Sequence, residues 1–123
     1  MGFTPESQAT FVVKNLGPTL EQNGFGDLKI MVLDDQRLFL PGWVSRMRDH
    51  EPLVDKYVSG IAVHWYMDSI IPPIMLDKTH DLFPDKFIFG TEACVGEGPQ
   101  QHVIIGSFVR AEEYAQYILQ VSN

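Results

Sequence analysis

A chain of 123 residues, 45% hydrophobic and 20% charged, is long enough to bury one core and is ordinary in composition for a globular protein. Its net charge of −7 argues against nucleic acid and anionic membrane surfaces as partners, and its apolar runs fall far short of the ~20 residues of a membrane span. The single cysteine, Cys94, excludes a disulfide within the chain.

Thr4-Pro5-Glu6 is a helix start: a hydroxyl cap, a proline at the first position and an acid in the first turn. Met1-Gly2-Phe3 leads straight into it, without the basic segment and apolar stretch of a signal peptide. The spacing predicts a helix with Phe11, Val12 and Leu16 on one face, stopping at Gly17-Pro18, with Leu20 to Gln22 adding a turn before Asn23-Gly24. A first strand spans Leu28 to Leu33 and ends abruptly at Asp34-Asp35-Gln36-Arg37. Pro41-Gly42-Trp43 opens a helix to about Arg48, and a shorter one runs from Leu53 to Val58. Gly60 to Val63 is a second strand, running into His64-Trp65-Tyr66, and Met67 to Pro73 is a loop. A helix from Ile74 to about Phe83 turns Met75, Leu76, Leu82 and Phe83 to the core. Phe87 to Thr91 reads as a buried third strand that delivers Glu92. A Gly/Pro-containing loop covers Cys94 to His102. Ser107 caps a last helix with Ala111, Tyr114, Ala115, Ile118 and Leu119 on one face.

Apolar strands separated by helices imply an α/β fold with a parallel sheet. A parallel sheet puts the strand ends on one edge, so Asp34 to Arg37, His64 to Tyr66, and Glu92 converge. That is the pattern of a sector of a (β/α)₈ barrel, and three strands cannot close one. The chain is then either a small open α/β domain or part of something larger. In a barrel sector, Ile30, Val32, Ile61, Val63 and Phe87 or Ile88 would face inward and lack opposing strands.

Glu92 is the first candidate for chemistry, since an acid at the end of a buried strand is costly unless paired, neutral or used. Beside a tyrosine and a histidine it fits the nucleophile of a retaining glycosidase, which also needs a second carboxyl group about 5–5.5 Å away. Asp34 and Asp35 are better suited to structural or orienting roles than to proton transfer, with Asp34 placed to orient His64 or Arg37. His64 could serve as a base, a metal ligand or a packed strand-end side chain. No second ligand sits at metal spacing, so no metal and no cofactor are expected. Trp65 and Tyr66 offer wide faces for stacking on a sugar, one of them also serving as core. Cys94 reads as a small apolar residue rather than a thiol nucleophile.

The segment Phe89-Gly90-Thr91-Glu92-Ala93-Cys94-Val95-Gly96 resembles the nucleophile segment of the glucosylceramidases of glycoside hydrolase family 30. Met31-Val32-Leu33-Asp34-Asp35-Gln36-Arg37 and Gly60-Ile61-Ala62-Val63-His64-Trp65-Tyr66-Met67-Asp68 resemble two further segments, in the same order. Phe3-Thr4-Pro5-Glu6, Leu16-Gly17-Pro18-Thr19-Leu20 and Thr79-His80-Asp81-Leu82-Phe83-Pro84 match as well. The resemblance implies a partial TIM (β/α)₈ barrel, roughly strands five to seven, with residues 1–123 a single segment of its catalytic domain. It implies Glu92 as nucleophile and Tyr66 beside the catalytic carboxylates. Trp65 would stand in the pocket wall, with His64, Asp34 and Gln36 in the surrounding polar network. It further implies glucosylceramide as substrate, a lysosomal location, a saposin-type activator and peripheral membrane contact. The family's acid/base glutamate, in Asn-Glu-Pro on an earlier strand, has no counterpart in these 123 residues. Gly42, the short loop Glu97-Gly98-Pro99 and Val109 also depart from the family pattern. The competing reading is a non-catalytic sugar- or lipid-binding α/β module.

Overall fold

The computed structural model describes residues 2–95 and 104–121. Three parallel strands, β1 (Ile30–Gln36), β2 (Val58–His64) and β3 (Phe87–Glu92), form one sheet in the order β1-β2-β3. Parallel neighbours need crossover connections. Here α3 (Gly42–His50) and α4 (Val54–Tyr57) join β1 to β2, α5 (Ile74–Leu82) joins β2 to β3, and α6 (Phe108–Val121) follows β3. Gly96, Glu97-Gly98-Pro99 and the rest of the expected loop through His102 lie outside the described residues.

The amino-terminal helix starts where the sequence predicts. Thr4 Oγ1 accepts the Ser7 N–H at 3.2 Å and Thr4 N–H donates to Ser7 Oγ at 2.8 Å, a reciprocal cap on α1 (Pro5–Phe11). The expected stop at Gly17-Pro18 does not occur. The helix widens into a π turn at Val12–Leu16 and continues as α2 (Gly17–Gln22). The Gly17 N–H reaches back five residues to the Val12 carbonyl. Pro18 then sits in the first turn of α2, where a missing N–H does least harm. Gly17 is required by a close approach, because a Cβ there would enter the Tyr57 ring.

Ala9, Val12 and Val13 bury one face of this helix. Positions i, i+3 and i+4 share a face, which leaves Phe11 off it. Contrary to expectation Phe11 is exposed, its ring 5.6 Å from that of Phe3. The core joins Ala9, Val12 and Val13 to Val32, Ile61 and Val63 of the sheet, to Trp43, Val44 and Met47 of α3, and to Phe83.

Alternation along the strands decides the two faces. Val32 pairs with Ile61, and Ile61 with Ile88, so this row lies against the helices. Val32, Ile61 and Val63 are therefore fully buried rather than left without partners, a reversal of the expected facing. The other row, in which Met31 pairs with Gly60 and Gly60 with Phe87, carries the open apolar surface. Met31 is 40%, Phe87 38% and Phe89 57% exposed. β3 is thus an edge strand with exposed side chains, not the buried strand its composition predicts. Leu82, expected in the core, is exposed, while Phe83 is buried and Leu76 packs at the core's margin.

A candidate active site at the strand ends

The ends of β1 and β3 depart from regular pairing, and these departures build the site. Leu33 pairs with Ala62 and Asp35 with Val63, which leaves Asp34 as an extra residue in β1. Leu33 and Asp34 have φ of 75° and 58°, a left-handed conformation that non-glycine residues adopt at a cost. The Leu33 N–H, turned out of the ladder, donates to Gln8 Oε1 at 3.2 Å. That same oxygen accepts the Trp43 Nε1–H at 2.7 Å, so the helix layer braces the bulge. On the other side, Val63 pairs with Gly90 and His64 with Glu92, which leaves Thr91 extra in β3.

These two bulges place Asp34, His64 and Glu92 around one point. Tyr66 Oη donates to Glu92 Oε1 at 2.9 Å. His64 Nε2 lies 3.5 Å from Glu92 Oε2 and 3.2 Å from Asp34 Oδ1. The Thr91 hydroxyl donates to the same Asp34 oxygen at 2.7 Å. The His64 side chain is only 12% exposed, whereas those of Glu92 and Asp34 are 55% and 67% exposed. The two acids therefore escape most of the desolvation cost expected for a carboxylate at a buried strand end.

Burial, together with the neighbouring Cys94 thiol and the Glu92 carboxylate, pushes the Tyr66 phenol well above its ordinary range. It stays protonated and available as a donor to Glu92. The Thr91 hydroxyl, assisted by His64, holds the Asp34 carboxyl below the ordinary aspartate value against the effect of burial. A proton donor needs its carboxyl raised, and Asp34 is shifted the other way, toward the ionised form.

The other expected residues fall around this centre. Trp65 Nε1 donates to the Cys94 carbonyl at 3.3 Å, and its ring packs on Tyr114 and Tyr117 of α6, with centroids 5.5 and 4.9 Å away. It thereby ties the segment after Glu92 to the last helix. Gln36, opposite His64 in the ladder, accepts the Met67 N–H at 3.2 Å and fixes the start of the following loop. Asp35 turns back to its own strand and accepts the Gln36 N–H at 2.6 Å. Arg37 does not meet Asp34; it forms a buried ion pair with Asp68 at 3.1 Å, the side chains being 2% and 1% exposed. Arg37 also donates to the Ile71 and Asp68 carbonyls and so pins the segment after Tyr66. A cavity of about 380 Å³, lined by Arg37, His64, Trp65, Asp68, Glu92 and Tyr117 among others, opens beside the acid. That is the size of a small-ligand site. Among the described residues, no three His, Cys, Asp or Glu side chains are grouped to hold a metal ion. No helix among them is long and apolar enough to cross a membrane.

Gln8, Thr91 and Asp68 were not legible as site residues. Their roles follow from bulges and a buried pairing for which the sequence carries no local signal.

Residues 1–123 match the TIM-barrel domain of glycosyl hydrolase family 30. The chain belongs to that family. Its three-stranded parallel sheet is therefore part of a family 30 TIM barrel, with the site at the carboxyl ends of the strands. It is 46% identical over 121 residues to the lysosomal acid glucosylceramidase of Mus musculus, covering 97% of this chain and 23% of that protein. It is 45% identical over 124 residues to putative glucosylceramidase 3 of Caenorhabditis elegans, covering 100% of this chain and 24% of that protein. The chain thus spans only a minor part of the relatives it matches. Among solved structures, SrfJ from Salmonella typhimurium superposes with a TM-score of 0.77 at 22% identity, covering 97% of this chain and 25% of that one. The endo-β1,6-glucanase BT3312 superposes at 0.66 and 23% identity, covering 76% of this chain and 21% of that one. Both likenesses are of fold.

Proposed function

We propose that residues 1–123 are a single segment of the catalytic domain of a retaining β-glucosidase that hydrolyses glucosylceramide to glucose and ceramide. The observation that carries this reading is the 2.9 Å bond from Tyr66 to Glu92 Oε1, with His64 facing the other carboxylate oxygen. The phenol orients the carboxylate from one side and the imidazole stands against the other, and the exposure of Glu92 leaves it free to meet a sugar. The names of the mouse and nematode relatives supply the substrate class.

In this reading Glu92 attacks the anomeric carbon, the bond from that carbon to the ceramide oxygen breaks, and the oxygen leaves with a proton from a general acid. Water then attacks the glucosyl ester, gives its proton to the same acid/base, and glucose departs as Glu92 is regenerated. Asp34, held ionised by Thr91 and His64, does not supply that proton. The acid/base comes from another part of the enzyme, and the 123-residue chain alone does not turn over. Tyr66 holds Glu92 in line, His64 and Asp34 fix it from the other side, Gln36 secures the adjoining loop, and Trp65 walls the pocket. By the name of the mouse relative the enzyme acts in the lysosome, and cleaving glucosylceramide is a step of sphingolipid metabolism. Through the resemblance it works with a saposin-type activator at a membrane surface.

The test is Glu92→Gln in a full-length enzyme carrying this segment. The amide is nearly isosteric, so the fold persists while hydrolysis of a β-glucoside is lost. Substantial residual turnover that no external nucleophile explains would overturn the assignment.

A further inference from the structure

Asp34 and Thr91 come from β1 and β3, which are not neighbours; β2 lies between them. Adjacent strands stand ~4.8 Å apart, so the outer two are separated by roughly 10 Å. Two short side chains close that gap only if both backbones leave the ladder. Both do, on either side of Val63: Asp34 is the extra residue of β1 between the levels of Ala62 and Val63, and Thr91 that of β3 between the levels of Val63 and His64. The left-handed φ values at Leu33 and Asp34 are part of the same arrangement. The resulting hydroxyl-to-carboxylate bond, at 2.7 Å, passes over the end of β2 and ends on the oxygen that also meets His64.

We infer that Thr91 is a positioning residue: with Asp34 it closes a clasp across β2 that sets the angle at which His64 faces Glu92. The clasp works through a competition at His64. One imidazole nitrogen, Nε2, stands 3.2 Å from Asp34 and 3.5 Å from Glu92, and it carries at most one proton. With Asp34 held by Thr91, the nearer oxygen keeps the larger share of that hydrogen bond, and the Glu92 carboxylate keeps its electron pairs. Without the hydroxyl, the Asp34 side chain, already 67% exposed, is free to rotate toward solvent, and His64 turns to Glu92. The groups facing Asp34 are Thr91 from β3 and His64 from β2, with Glu92 behind the imidazole. On β1 its neighbour Asp35 is engaged with the Gln36 N–H. The consequence for catalysis rests on the role proposed for Glu92; the clasp itself does not.

The sign follows from the chemistry. The Thr91 hydroxyl stabilises the ionised carboxylate, so removing it raises the pH at which Asp34 titrates. The experiment follows the Asp34 carboxyl carbon by NMR through a pH titration of a full-length enzyme carrying this segment, in wild type, Thr91→Val and Thr91→Ser. Valine keeps the β-branched shape suited to a strand and removes only the donor. Serine keeps the donor and removes the methyl group. The expected result is a midpoint shifted to higher pH in Thr91→Val and unchanged in Thr91→Ser. An unchanged midpoint in Thr91→Val would overturn the inference. So would a Thr91→Ser midpoint displaced upward, which would assign the effect to packing. If the midpoints behave as expected while Glu92→Gln leaves turnover intact, the clasp stands and the proposed function falls.

Discussion

The Tyr66 hydroxyl donates to Glu92 Oε1 at 2.9 Å, joining a residue two past the end of β2 to the last residue of β3. The phenol, pushed up by burial and by its neighbours, does not lose its proton to the acid it serves. A hydrogen bond to a charged group contributes about 1.5–3 kcal/mol. Tyr66→Phe in the full-length enzyme therefore lowers kcat by roughly tenfold to a hundredfold. With Glu92 in the role proposed for it, KM changes little, because the bond acts on the nucleophile and not on the sugar at rest. A change confined to KM would make Tyr66 a wall of the pocket and remove it from the machinery.

A second prediction concerns the buried pair beneath the site. Burial works against both charges: it pushes the Asp68 carboxyl up and the Arg37 guanidinium down, and their mutual attraction opposes both shifts. Arg37 also donates to the Ile71 and Asp68 carbonyls, so it organises the segment after Tyr66. Arg37→Met leaves Asp68 buried without its cation and costs about 3–5 kcal/mol. The thermal midpoint of the full-length enzyme falls accordingly. The double variant Arg37→Met with Asp68→Leu recovers most of that loss while the loop loses its anchor. Equal stability of wild type and the single variant contradicts this account.

Much of this architecture is legible in the residues. The apolar runs before Asp34, His64 and Glu92 mark three strands, and the helices between them force parallel pairing and a common edge for the polar ends. Local rules fail where tertiary contacts override them. Gly17-Pro18 reads as a helix stop, but a π turn absorbs it. Val32 and Phe87 are equally apolar, and only the register tells which meets the helices and which is left open. Leu33 in a left-handed conformation has no sequence signature at all, since leucine seldom adopts it; Gln8, 25 residues upstream, satisfies its N–H. Thr91 acquires its role only through the same irregularities.

The open face leads to a third prediction. Met31, Phe87 and Phe89 expose apolar surface on one side of the sheet, and β1 and β3 are both edges. Unpaired edges and contiguous apolar surface promote association. The 123-residue chain by itself therefore elutes as oligomers in size-exclusion chromatography and shows no hydrolysis of a synthetic β-glucoside. A monodisperse monomer with a cooperative thermal transition contradicts the first half, and measurable turnover contradicts the second.

In the proposed reaction Glu92 forms the covalent bond to the sugar. A cyclitol epoxide shaped like glucose reacts with the nucleophile of a retaining β-glucosidase by opening its ring onto the carboxylate, forming a stable ester. The most direct measurement treats the full-length enzyme carrying this segment with that reagent and maps the modified peptide by mass spectrometry. The expected product is one added cyclitol on the peptide containing Phe89-Gly90-Thr91-Glu92-Ala93, located at Glu92 and absent from Glu92→Gln. Stoichiometric labelling at any other carboxylate, with Glu92 unmodified, would contradict it.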